Sequence, residues 1–226
     1  MKKIVLVIAP HPDDDTIGCG GSIRKYLIKG ITVFVVYVTN GAAGTKKFRI
    51  SEFTKIRKEE TLMATTRMGL KKNNLFFLDY KSWEIDEKKL RFDLLKIIRK
   101  IRPTICYIPS SDEHFDHQLV NQAALDAINI APGRWWREYG STNDKTMSPP
   151  TILEYEVAKP IGEPNYFEDI TDLFLSKRMA LSDHKSQNIK KYMKLIEAIG
   201  SLRGESLGSN KKAEAFKVVA LREELI

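Results

Sequence analysis

The chain has 226 residues, 42% of them hydrophobic and 29% charged, a formal net charge of +8 and two cysteines. That length suits a single sizeable α/β domain spanning 1–226, and the composition is that of an ordinary globular protein rather than a disordered or fibrous one. No apolar run approaches the roughly 18–20 residues of a membrane span, and the lysines alternate with glutamates, as in Lys55-Ile-Arg-Lys-Glu-Glu, the pattern of a solvated face and not of a nucleic-acid surface. Two cysteines, Cys19 and Cys106, and the lack of an export signal point to a reducing cytoplasm with no disulfide.

In chain order, short β-branched runs alternate with helix-like ones. Strands are predicted over 3–8, 32–38, 75–78 and 104–108, and helices over 20–29, 51–68 and 86–101. Gly30, Gly69 and Pro103 stand where the helices must stop. Beyond position 117, residues 120–130 read as a helix ending before Pro132-Gly133, 134–150 as a long loop, and 151–157 as a strand. Helical material follows over 174–202 with a break at 185–188, and 213–221 is a last short helix or strand. Such β-α alternation implies a Rossmann-like α/β fold, a mostly parallel sheet flanked by helices on both faces.

Three of the four histidines fall in two tight groups, His11-Pro-Asp13-Asp14-Asp15 and His114-Phe-Asp116-His117, each directly after a predicted buried strand. Open parallel sheets place their sites there. Divalent ions such as zinc favour imidazole and carboxylate, and a catalytic site typically uses three protein ligands. His11, Asp14 and His117 can supply them. Asp13 is then a spare carboxylate placed to act as general base, and His114 a spare imidazole placed to stabilise an oxyanion or protonate a leaving amine, with Asp116 holding it charged. These parts suggest metal-assisted hydrolysis of an amide or ester.

Other features take structural readings. Gly18-Cys19-Gly20-Gly21 lacks the G-x-G-x-x-G register and follows acids that would repel phosphate, so its glycines are read as packing residues and Cys19 as a small buried one. His184 reads as a surface residue in a polar helical stretch. Trp135-Trp136 reads as packing or a subunit contact, with stacking on a sugar ring as the second reading.

The two histidine groups resemble the AHPDD(E/D) and HxDH motifs of the PIG-L or LmbE-like family of zinc-dependent N-deacetylases. The likeness extends to Thr39-Asn-Gly41, Arg57-x-x-Glu60, Met68-Gly69, His184-Lys-Ser-Gln187, Arg203-Gly204 and Glu214-Ala-Phe216, and so to nearly the whole chain. The resemblance implies His11, Asp14 and His117 as Zn2+ ligands, Asp13 as base, His114 as oxyanion or acid residue with Asp116 its partner, and Arg57 as a sugar contact. The alternative for Arg57 is a helix-surface salt bridge to Glu60. The chain departs from the pattern at Ser82, where many relatives carry an aspartate, and Asp79 substitutes only if the loop is differently shaped.

The expectation is therefore a cytoplasmic hydrolase that removes an N-acetyl group from N-acetylglucosamine or a diacetylchitobiose-type sugar and binds neither nucleic acid nor membrane. The resemblance also implies a homo-oligomer, a trimer or hexamer. A glucosaminyl-malate thiol precursor or an antibiotic-type amide would use the same metal chemistry. A non-catalytic metal-binding protein and a nucleotide-binding Rossmann module are the competing classes.

Overall fold

The computed structural model describes residues 3–43, 48–134 and 147–222. The Trp135-Trp136 pair lies outside the described residues. In chain order the elements are β1 (Ile4–Ala9), α1 (Asp14–Ile28), β2 (Thr32–Thr39), α2 (Ile50–Met68), β3 (Leu75–Tyr80), α3 (Glu87–Ile101), β4 (Ile105–Pro109) and α4 (Phe115–Ile130). Then come β5 (Thr151–Tyr155), β6 (Tyr166–Asp169), α5 (Phe174–Leu181), α6 (Ile189–Gly204) and β7 (Ala213–Ala220).

The strands form one seven-stranded sheet in the order β3-β2-β1-β4-β5-β7-β6. β1 to β5 run parallel, while β7 pairs antiparallel with both β5 and β6. Alternate residues of β1 serve opposite faces. Val5, Val7 and Ala9 join a core with side chains of α1, α2, α5 and α6, whereas Leu6 and Ile8 join one with α3 and α4. Burial on both faces is why Ile-Val-Leu-Val-Ile-Ala is continuously apolar. The expected Rossmann-like sheet, covered on both sides, is the fold.

Helix ends follow local chemistry. Asp86 caps α3 by accepting from Lys89 N at 2.9 Å. Gly69 closes α2 at φ 94, where only glycine is unstrained.

Two helices begin earlier than their patterns suggest. α1 starts at Asp14, six residues before the predicted start, and leaves helical geometry at Cys19 (φ −140, ψ 23). The predicted helix matches the stretch beyond this kink, whose freed Gly21 and Ser22 N–H groups donate to the Glu214 carboxylate at 2.8 Å each. α4 starts at Phe115 with His114 as its N-cap, so Asp116 and His117 stand on its first turn, not on a loop.

The short edge strand β6 was not anticipated, and the ambiguous tail is a strand. The glycines after the first motif do serve packing. A Cβ at Gly18 would lie 2.2 Å from the Tyr155 ring, and one at Gly21 2.6 Å from Ile170. Cys19 is buried, and both cysteines are free thiols.

Candidate active site

β1 sits between β2, reached by one crossover, and β4, which starts the other half of the sheet. The chain therefore diverges to opposite sides at the carboxyl ends of β1 and β4, leaving a crevice. His11, Asp13 and Asp14 enter it from the β1–α1 turn, and His114 and His117 from the start of α4. With Arg57 they line a cavity of about 210 Å³.

Three donor atoms form a small triangle. His11 Nδ1 is 3.0 Å from Asp14 Oδ2 and 3.3 Å from His117 Nε2, and His117 Nε2 is 3.5 Å from Asp14 Oδ2. Ligands about 2.0–2.1 Å from a tetrahedral ion stand roughly 3.3–3.4 Å apart. The triangle fits such an ion. Among the described residues His11, His114 and His117 also bring ligand atoms within 4.8 Å of one another. The trio containing Asp14 is the tighter and includes the anionic donor a divalent cation prefers.

Behind each histidine of the triangle stands a carboxylate. His11 Nε2 lies 2.9 Å from Asp116 Oδ2, and His117 Nδ1 2.8 Å from Asp112 Oδ2. Such partners fix the ring and would raise the basicity of the nitrogen offered to an ion. Asp112 escaped the sequence reading, although an aspartate five residues before His117 in the same loop was a usable signal.

Asp116 corrects an expectation. It does not hold His114, because its carboxylate goes to His11 and to Trp83 N–H at 2.9 Å. Its backbone N–H instead donates to His114 Nδ1 at 3.1 Å. An Nδ1 that accepts must carry no proton, so the neutral ring holds its proton on Nε2. Burial first, then the neighbouring His11 and His117, lowers the His114 pKa. His114 is thus a neutral donor, not the imidazolium expected.

The field of the triangle favours positive charge. Burial by itself would lower the pKa of both ligand histidines. Asp14, with Asp116 at His11 and Asp112 at His117, outweighs it and raises them to about 9 and about 10. Burial would raise Asp14, but the two imidazoles hold it well below the carboxylate range.

Asp13 is buried beside Arg57, whose Nη1 and Nη2 reach its two oxygens at 3.3 Å each. The alternative pairing of Arg57 with Glu60 is absent. Arg57 is only 2% exposed, and Glu60 accepts from Ser186 N (2.7 Å) and Ser186 Oγ (2.6 Å). Two motifs distant in sequence therefore meet here, and Gln187 reaches the cavity wall. His184, expected at the surface, is 1% exposed, with neither ring nitrogen partnered. Burial pushes its pKa down to about 4. Ser82 lines the cavity, whereas Asp79 points outward from β3 and does not replace the missing aspartate.

This fold and donor set define a metal-site hydrolase class, and the chain belongs to the PIG-L family, described as GlcNAc-PI de-N-acetylase, which it matches over residues 6–128. It is 32% identical to the diacetylchitobiose deacetylase of Thermococcus kodakarensis over 82% of this chain and 70% of that protein. The N,N'-diacetylchitobiose deacetylase structure from Pyrococcus horikoshii superposes with a TM-score of 0.84 at 30% identity, covering 96% of this chain and 84% of that one. A 4-carboxy-2-hydroxymuconate hydratase from Pseudomonas putida KT2440 also reaches 0.84, at 22% identity over 99% of this chain and 100% of the other. That likeness is one of fold alone, and one fold can host different chemistries. Among the described residues no helix is long and apolar enough to cross a membrane.

Proposed function

We propose that this chain, read as one domain over 1–226, is a zinc-dependent deacetylase acting on a small N-acetylglucosamine-containing sugar, of the N-acetylglucosamine or diacetylchitobiose type. The observation that carries this reading is the triangle of His11 Nδ1, Asp14 Oδ2 and His117 Nε2, with separations of 3.0–3.5 Å, beside a buried carboxylate that is not part of it. Two imidazoles and one carboxylate suit zinc, with a position left open. A divalent ion held there would supply Lewis acidity toward an amide carbonyl and ease deprotonation of water.

The chain's own residues do the rest. Asp13 takes the proton of the attacking water, and the paired Arg57 nitrogens fix the direction of its carboxylate. His114, with its proton on Nε2, donates to the oxygen that gains negative charge as the amide is attacked. The proton held on Asp13 is then available to the departing amine, and acetate and a free amino sugar leave. Asp116 and Asp112 keep the two ligand imidazoles oriented. Arg57, on the cavity wall, is also the proposed sugar contact. A homo-oligomer, trimeric or hexameric, and a cytoplasmic location belong to the same reading, and native mass tests the first.

The test is acetate release by purified protein, chelated and then supplied with zinc. The panel is N-acetylglucosamine, diacetylchitobiose, a glucosaminyl-malate conjugate, an antibiotic-type N-acyl amide and an N-acetylated peptide. Zinc-dependent release from an amino sugar is expected. Release from the peptide alone, or no release with zinc bound, sinks the reading.

A further inference from the structure

Between β3 and α3, Trp83 adopts φ +69. For a bulky L-residue this left-handed conformation is an outlier that persists only where surroundings impose it. The imposing contact is the 2.9 Å bond from Trp83 N–H to Asp116 Oδ1, the carboxylate whose other oxygen holds His11. The strained backbone turns the indole outward instead of into either core. Trp83 is 59% exposed and lines the cavity, its ring centroid 4.9 Å from that of His114. It stacks at 10° and 5.9 Å on Phe115, itself 44% exposed.

Two large aromatic rings thus stand open beside the reacting imidazole, and the larger one is kept there against its backbone preference. The cavity behind them, about 210 Å³, is smaller than the roughly 300–1,000 Å³ that encloses a drug-sized ligand. It suits one acetylated sugar ring. Whatever is linked to that ring must leave across the rim. A pyranose ring with equatorial hydroxyls offers an apolar face of C–H groups while its edges stay hydrated, and a half-open indole is the matching flat apolar surface.

We propose that Trp83, backed by Phe115, is a specificity-determining residue that stacks on a second pyranose ring attached to the one being deacetylated. This rests on the amino-sugar reading above.

The experiment compares wild type, Trp83→Gly and Trp83→Phe, each loaded with zinc, on N-acetylglucosamine and diacetylchitobiose. Glycine is at ease at positive φ and keeps the N–H for Asp116, so the loop retains its backbone. The ratio of kcat/KM for the disaccharide to that for the monosaccharide is expected to fall about tenfold in Trp83→Gly, mainly through KM, as for an aromatic anchor lost from a binding surface. Phenylalanine should restore most of it. An unchanged ratio overturns the proposal, and so does a fall in the ratio accompanied by a new native mass, which would assign the ring to a subunit contact.

Calorimetric titration with the deacetylated disaccharide separates this from failure of the deacetylase reading. If no N-acetyl sugar is cleaved, weaker disaccharide binding by Trp83→Gly still supports stacking. Equal binding by the two proteins, or none by either, overturns it.

Discussion

His117 is held from both sides, its Nδ1 2.8 Å from Asp112 Oδ2 and its Nε2 3.3 Å from His11 Nδ1. The carboxylate orients the ring, so Asp112→Asn should weaken zinc binding about 10–100-fold, the usual scale for losing such a partner. Competition with a chromophoric chelator measures it. An affinity within twofold of wild type would show that Asp112 has no hold on the metal.

Because Asp14, Asp116 and Asp112 raise His11 and His117 to about 9 and about 10, the ion-free triangle holds protons near neutrality. Zinc must displace them. Affinity is therefore lost as pH falls below these values, and about one to two protons should be released per ion bound between pH 6 and 8. Calorimetry in buffers of different ionisation enthalpy counts them, and a count of zero contradicts the assigned ligands.

Asp13→Ala should keep zinc and lose roughly a hundredfold or more in kcat, the scale of general-base contributions. Unchanged turnover would refute Asp13 as the general base. Gly41→Ala probes the same group indirectly. At φ +62 its Cβ would lie 2.8 Å from Arg57 Nε and from Pro12 Cδ, so Arg57 must move off Asp13. A fall in kcat of about tenfold with zinc binding retained is expected.

His184 makes stability depend on pH. Its folded pKa of about 4 lies below the ordinary 6.5, so between these values the unfolded chain binds the extra proton. Its contribution is complete above about pH 6.5 and is lost as pH falls toward 4, by on the order of 3 kcal/mol. Urea unfolding of wild type and His184→Leu at pH 7.5 and 4.5 should show a gap that changes by that order. Parallel pH dependence would mean the ring is not buried as a neutral group.

Glu214 joins Lys177 Nζ (2.7 Å), Ser22 Oγ (2.6 Å) and the two N–H groups beyond the α1 kink. Glu214→Gln leaves the Lys177 charge buried, which costs about 3–5 kcal/mol. The exposed Arg91–Glu87 pair should be worth no more than about 1 kcal/mol. Chemical denaturation of Glu214→Gln and Glu87→Gln compares them, and equal losses would refute the buried-pair account.

Local pattern determined the β-α alternation, the parallel core and the pairing of His11-Pro-Asp-Asp with His114-Phe-Asp-His, because burial on both sheet faces and ligand spacing are written over a few consecutive residues. Gly69 and Pro103 likewise mark helix ends through backbone sterics that need no distant partner. What an imidazole or carboxylate bonds to was decided by tertiary structure. Asp116 sits two residues from His114 yet serves His11, 105 positions away. Arg57 turns from Glu60 to Asp13, and His184 is drawn out of a polar sequence into the interior. The strand β6, four residues long, has too little pattern to announce itself and exists through its pairing with β7. Side-chain partners depend on how separate elements pack, and that packing is set by the whole core rather than by any neighbour in the chain.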